Sequence, residues 1–345
     1  MTRRSAAWLV GAAPLLGASY SIWRSNLGPK ASKTPIIYSS VPLSDNARFG
    51  NIVALAFENH GVLYALDGAD SRIVVLSQSG HIERQIGSLG NGRGDLWLPT
   101  AMCVAAGRLA ILDAGNNRVQ IFSLDGTRVA GFSYDPRVSP QGIAMSDDGI
   151  VYLNTPSSNS LVTAYGGSGG ALGSFGTLAH PQECFPELIG QPSFPTPLLN
   201  EAHIAASGDG SVWIAFRYVP VVQRYSQAGA LLMQHPLSGS GRNDIVNTFL
   251  HKPGARPALT HRLKGATRVV PIVSGITITR DKTLVVLLAN YVLIEIDGSG
   301  GQHRELVHSK HFYGGIVGPV QAVATGSAGI LLGTVQSIDK VIIGS

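Results

Sequence analysis

"LDAGNNRVQIFSLDG", residues 112–126, decides the architecture. Taken alone it is a strand, a tight turn and a second strand, with Asp113 and Arg118 on either side of the turn. Forty-six residues earlier the chain reads "LDGADSRIVVLSQSG", residues 66–80, with Asp67 and Arg72 in the same places and Gly80 answering Gly126. Fixed-period self-similarity is the mark of solenoids and propellers, so the stretch is first of all a repeat element.

Working outward, each unit is three apolar strands and a variable fourth. Unit one has "IVALAF" at 52–57, "GVLYALD" at 61–67, "SRIVVLSQSG" at 71–80 and "HIERQIG" at 81–87. Unit two repeats this as "TAMCVA", "GRLAILD", "NRVQIFSLDG" and "TRVAGFS"; three further units follow through residues 140–176, 203–236 and 275–308. The runs are short, rich in Val, Ile, Leu and Tyr, and bounded by Gly, Asn, Asp or Ser, which specifies a hairpin meander. The sixth unit, 320–335 with 339–344, is one strand short, and "TPIIYSSV" at 34–41 is a strand with no unit of its own. An open sheet edge is a liability. The orphan strand is therefore expected to complete the last blade and close the ring. The predicted fold is an all-β, six-bladed β-propeller of four-stranded antiparallel blades around a channel.

The stretch "PTAMCVAAGRLAILDAGNNRVQIFSLDG", residues 99–126, resembles the NHL-repeat family of six-bladed propellers through its Pro, its first-turn Gly, its Asp–Arg turn and its closing Asp-Gly. Unit one matches through Asp67, Ser71 and Arg72; unit three has Asn154 in place of the Asp and no Arg; units four to six keep only the hydrophobic rhythm. The resemblance implies the fold and leaves function open among protein or RNA binding, extracytoplasmic sensing and occasional catalysis. From the residues themselves, the Asp–Arg pair recurs in successive units, so no single site could use every copy. Asp67 with Arg72 and Asp113 with Arg118 are expected to be structural braces, the guanidinium satisfying a carboxylate and turn carbonyls together. Asn116 and Asn117 are expected to take the positive-φ positions of the turn.

The chain has 345 residues with 44% hydrophobic and only 14% charged side chains, against roughly 25% charged in average soluble proteins. "MTRRSAAWLVGAAPLLGASYSIW", residues 1–23, has the charged, apolar and small-residue order of an export signal. Its rival reading is a retained anchor, since Ser5 to Trp23 carries no charge. Residues 24–33 then form a linker to a single propeller domain, 34–345, placed in the periplasm or outside the cell, or tethered to the inner membrane. The net charge of +5 falls to +3 when Arg3 and Arg4 leave with the signal, too small a surplus to suggest nucleic-acid binding. Nothing in the spacing of Cys103 and Cys184 requires a disulfide.

Function is expected at the channel mouth. Two inter-blade connections are long, residues 177–200 and 237–273, and both run from an outer strand to the next inner strand, hence on one face; such loops are where binding is usually placed. Within the second, "HKPGARPALTHRLKGATR", residues 251–268, carries Lys252, Arg256, Arg262, Lys264 and Arg268 without an acid and suits an acidic partner protein or a small anionic ligand. The first holds His180, Glu183, Cys184 and Glu187, a spacing that fits no standard zinc pattern, so these and His203 are weak metal candidates and no cofactor is expected. Gln141, Glu201, His203 and Gln321 are expected to form a polar ring. No nucleophile–base pair, paired carboxylates or phosphate loop appears. The sequence thus reads as an exported ligand- or protein-binding, sensing propeller; the alternative is a metal-dependent lyase or hydrolase at the channel mouth.

Overall fold

The computed structural model describes residues 36–43, 48–58, 61–179, 199–237, 239, 261–263, 266–268, 271–288, 292–299, 301–308, 320–326, 329–334 and 336–343. Blade one is β2 (Ile52–Phe57), β3 (Leu63–Asp67), β4 (Arg72–Leu76) and β5 (Ile82–Ile86); blade two is β6 (Pro99–Ala105), β7 (Arg108–Asp113), β8 (Arg118–Ser123) and β9 (Arg128–Ser133). Blade three is β10 (Ile143–Met145), β11 (Val151–Asn154), β12 (Val162–Tyr165) and β13 (Ala171–Phe175), and blade four is β14 (Ala202–Ala206), β15 (Val212–Phe216), β16 (Val221–Tyr225) and β17 (Leu231–Pro236). After a small hairpin, β18 (His261–Leu263) with β19 (Ala266–Arg268), blade five is β20 (Val273–Ile278), β21 (Leu284–Leu288), β22 (Leu293–Ile296) and β23 (Gln302–His308). Blade six is β24 (Val320–Gly326), β25 (Gly329–Thr334) and β26 (Ile338–Ile343), completed by β1 (Ile36–Pro42).

The burial pattern follows from the stacking of blades. Second strands such as β3 and β21 are buried at every residue because a neighbouring blade covers each face, which is why they read as unbroken apolar runs. Outer strands face water: Ile82 to Gln85 of β5 are all exposed. Between blades one and two, Leu66, Ile73 and Val75 pack with Met102, Leu109 and Ile111. The same packing joins the end of the chain to its beginning, with Ala322, Leu331 and Ile338 against Ile52, Leu55 and Leu63.

β1 closes the ring as expected, antiparallel to β26 from Tyr38↔Ile343 to Pro42↔Asp339. It also does something the repeat pattern did not indicate. Its other edge pairs in parallel with β23, Ile36↔Leu306 to Tyr38↔His308, so blades five and six form one eight-stranded sheet. Tyr38, buried at the centre of β1, packs with Leu306 and Val341 from the two blades.

The turns of the repeat differ in detail. Asp113 is fully buried and accepts hydrogen bonds from Arg118 Nε at 2.7 Å, Asn116 Nδ2 at 2.9 Å and the Trp97 amide at 2.7 Å. Arg118 also donates to the carbonyls of Asn91, Gly92 and Asp95, tying the loop between blades one and two to the turn. In blade one, the amides of Gly50 and Asn51 reach Asp67 at 2.9 Å, while Arg72 stands 3.5 Å off and hydrogen-bonds Asp70 and the Arg48 carbonyl. Asn154 of blade three accepts from the Ala202 amide at 2.9 Å, a link to the inner strand of the next blade, whereas Asp67 and Asp113 hold the entry to their own blade's inner strand. Only one of the two turn asparagines has positive φ: Asn117 is left-handed at φ 50°, whereas Asn116 lies in a short 3-10 turn that aims its amide at Asp113.

Both long connections leave an outer strand, β13 or β17, and re-enter at an inner strand, β14 or β20. The base of the first is drawn together by Asn200, whose Oδ1 accepts from the Ala179 amide at 2.8 Å. His180, Glu183, Cys184 and Glu187 of that connection, Lys252, Arg256 and Lys264 of the other, and the amino-terminal signal or anchor lie outside the described residues. Among the described residues no helix is long and apolar enough to cross a membrane.

Candidate functional site

The six inner strands converge on a solvent-open cavity of about 100 Å³ on the channel axis. Its wall takes residues from every blade, and Gln141, His203 and Gln321 all lie on it. A repeated device sets the wall. Register irregularities fall between Ile52 and Ala54, Pro99 and Ala101, Val273 and Gly275, and Val320 and Ala322. The skipped residues, Val53, Thr100, Ser274 and Gln321, all reach the cavity, as expected when a bulge re-aims a side chain. His203 is the exception, in register opposite Ala215. Beside it Gly142 admits no side chain, since a Cβ there would stand 2.6 Å from the Ala202 carbonyl oxygen.

Glu201 does not line the cavity; it belongs to a charged cluster behind it. Its carboxylate pairs with Arg217 Nη1 at 3.0 Å, and the same nitrogen donates to Gln141 Oε1 at 3.2 Å. The Arg217 guanidinium stands 5.5 Å from the Tyr218 ring centroid, and the Tyr218 side chain hydrogen-bonds Glu201. Burial pushes the Glu201 carboxyl up from its ordinary range, and Arg217 partly offsets this. The other amide end of Gln141 is held by Ser139, through its carbonyl and its hydroxyl. Arg217 is also a joint between blades, because its carbonyl accepts the amides of Ile272 and Val273 at the entry to β20.

His203 is a neutral acceptor. Burial, reinforced by the Arg217 charge and opposed by a hydrogen bond to the Val273 backbone, holds its pKa down at about 3. Its Nε2 is cut off from water and has no partner, so the bond to Val273 belongs to Nδ1. Since that bond favours the protonated ring, Nδ1 is the donor and Nε2 carries the free lone pair.

Four residues of this region were not singled out from the sequence: Thr100, Ser274, Arg217 and Tyr218. The first two had no signal beyond an ordinary strand entry. Arg217 follows Phe216, which faces Ala202 at the position where Pro99 faces Asp113 in blade two, so it has no counterpart in the period. Of the basic residues, Arg262 falls on β18. Among the described residues no group of three His, Cys, Asp or Glu is placed to hold a metal.

No family model matches the chain, and no curated protein matches it. Solved structures do. A streptogramin B lyase superposes with a TM-score of 0.55 at 12% identity, over 89% of this chain and 98% of that one. U3-55K gives 0.53 at 12% identity over 89% and 98%, and the WD40 propeller domain of Doa1 gives 0.52 at 10% over 89% and 93%. The likeness is one of fold. At these identities the neighbours place the chain among propellers, a lyase included, and assign it no reaction.

Proposed function

We propose that this protein is a small-molecule-binding propeller whose site is the channel cavity at the long-loop mouth. One observation carries the reading: every inner strand contributes to a solvent-open cavity, and Thr100, His203, Ser274 and Gln321 from four different blades line it. The Glu201–Arg217–Gln141 cluster holds that wall in place without presenting charge to it. The basic connection, 237–273, is the proposed contact for an acidic partner, export is the proposed destination, and the NHL-type reading rests on the Asp–Arg turns alone. The test is a plug. Thr100 is exposed and lines the cavity, so Thr100→Trp should abolish binding of compounds that raise the melting temperature while leaving the unliganded melt nearly unchanged. Hits that bind the plugged variant as well as the parent would refute a channel site.

A second reading is favoured by the fold shared with a streptogramin B lyase. Elimination requires a group that takes a proton from the substrate, and His203 is the titratable side chain suited to it among the described residues of the wall. A ring with a pKa near 3 is a weak base at neutral pH, which is why binding is placed first. Mass spectrometry of hits after incubation separates the two: new products that vanish with His203→Gln support the lyase.

A further inference from the structure

Where the loop between blades one and two, residues 87–98, crosses β8, three arginines gather around the buried side chain of Gln120, and none of them lines the channel cavity. Gln120 is saturated. Its Oε1 accepts from Arg128 Nε at 2.8 Å and from the Gly94 amide at 3.1 Å, and its Nε2 donates to the Asp95 carbonyl at 2.6 Å and to Asp113 at 3.3 Å. Arg118 is engaged as well, with Asp113 on Nε and the carbonyls of Asn91, Gly92 and Asp95 on its other nitrogens. Arg93 and Arg128 are not. Arg128 uses Nε alone, so its Nη1 and Nη2 have no hydrogen-bond partner among the described residues, and Arg93, exposed on the loop, makes no side-chain hydrogen bond to them at all. Neither pairs with a described carboxylate: Asp113 is taken by Arg118, and the Asp95 carboxylate turns to Ser88 Oγ at 2.8 Å and the Gly92 amide at 3.2 Å.

The same bonds hold both residues to one place. Arg93 stands between Gly92, whose carbonyl accepts from Arg118, and Gly94, whose amide shares Gln120 Oε1 with Arg128. Arg128 lies across Gly131, where a Cβ would stand 2.7 Å from Nη2. Burial, then the charges of Arg93 and Arg118, push the Arg128 guanidinium below its ordinary range, as like charges do when no acid stands among them. We propose that Arg93 and Arg128 bind a phosphate or sulfate group, free or as a monoester, between blades one and two. A guanidinium presents parallel N–H donors that match two oxygens of such a group. Two guanidiniums balance a dianion, whereas a monocarboxylate would offset only one of them. Arg128 is fixed through Nε, so its remaining donors are ordered before the ligand arrives. Arg93, flanked by glycines on the loop, supplies the second charge. The site is separate from the channel and does not depend on the channel's being a binding site.

The experiment is calorimetric titration of the full chain with inorganic phosphate, sulfate, phenyl phosphate and acetate at one ionic strength, using the parent, Arg128→Gln and Arg93→Gln. Circular dichroism follows the melt of each without ligand. Phosphate and sulfate should bind the parent saturably, and each variant should weaken them about tenfold or more, the worth of a charge-assisted hydrogen bond. Arg93→Gln should leave the unliganded melt unchanged or raise it, because it removes a repelling charge, so its loss of binding is separate from any loss of fold. Phenyl phosphate that binds as tightly as phosphate assigns the site to a monoester, and its exclusion assigns it to the free ion; either result keeps the proposal. Binding unchanged in either variant would overturn it, as would acetate binding as tightly as phosphate. No saturable heat from phosphate or sulfate at roughly 10 mM, beyond the weak end of useful affinity, would overturn it too.

Discussion

Replacing Arg118 by Ala and, separately, Arg72 by Ala tests whether the repeated Asp–Arg turn has one energetic role or two. Arg118 makes a charge-assisted bond to a fully buried carboxylate at 2.7 Å and three bonds to loop carbonyls. A hydrogen bond to a charged group is worth about 1.5–3 kcal/mol, and the more exposed carbonyl bonds a few tenths each. Their loss sums to about 2–4 kcal/mol. Asp67 is equally buried, but backbone amides of Gly50, Asn51 and Asp70 already satisfy it, and Arg72 stands 3.5 Å away with 23% of its side chain exposed. A pair so arranged contributes about 1 kcal/mol or less. Arg118→Ala should therefore lower the urea midpoint and the melting temperature at least twice as far as Arg72→Ala, with circular dichroism as the signal. Equal losses, or a larger loss for Arg72→Ala, would refute the assignment of the stability to the loop-carbonyl bonds and the direct carboxylate bond of Arg118. A loss of ligand binding without loss of stability would refute the brace altogether.

Deleting residues 34–41 should damage the fold far more than deleting 24–33, because β1 is hydrogen-bonded to both β23 and β26; equal melting temperatures for the two truncations would contradict ring closure through β1. A pH effect should trace to His203. Its folded pKa near 3 lies below the ordinary 6.5, so the unfolded chain takes the proton first; stability is full above about pH 6.5 and falls as pH drops toward 3, by at most about 1.4 kcal/mol per unit. The parent should lose more stability between neutral pH and the acid side than His203→Gln does, and equal losses would show that the ring is neither buried nor neutral.

The amino-acid sequence determined the blades. Strand pattern and turn chemistry are local, with short apolar runs and Gly or Asp-Gly at the reversals, so the six units and the orphan strand at 34–41 could be counted without coordinates. It also located His203 and Gln321 on inner strands, and Gln141 two residues before one. What it left undetermined depends on the closed ring. The parallel pairing of β1 with β23 exists only because closure brings the outer edge of blade five beside blade six. Arg217 breaks the repeat, and its partners Glu201, Gln141 and Val273 come together only when blades three, four and five are seated side by side. The two Asp–Arg turns look alike in sequence, yet one guanidinium reaches three loop carbonyls and the other turns to Asp70, because the inter-blade loops they meet differ. Charge placement follows the same rule: composition gave a basic chain, and the tertiary structure decided that the described residues lining its channel carry no Asp, Glu, Lys or Arg, since several of the side chains that face the axis are set there by bulges in the inner strands rather than by their spacing alone.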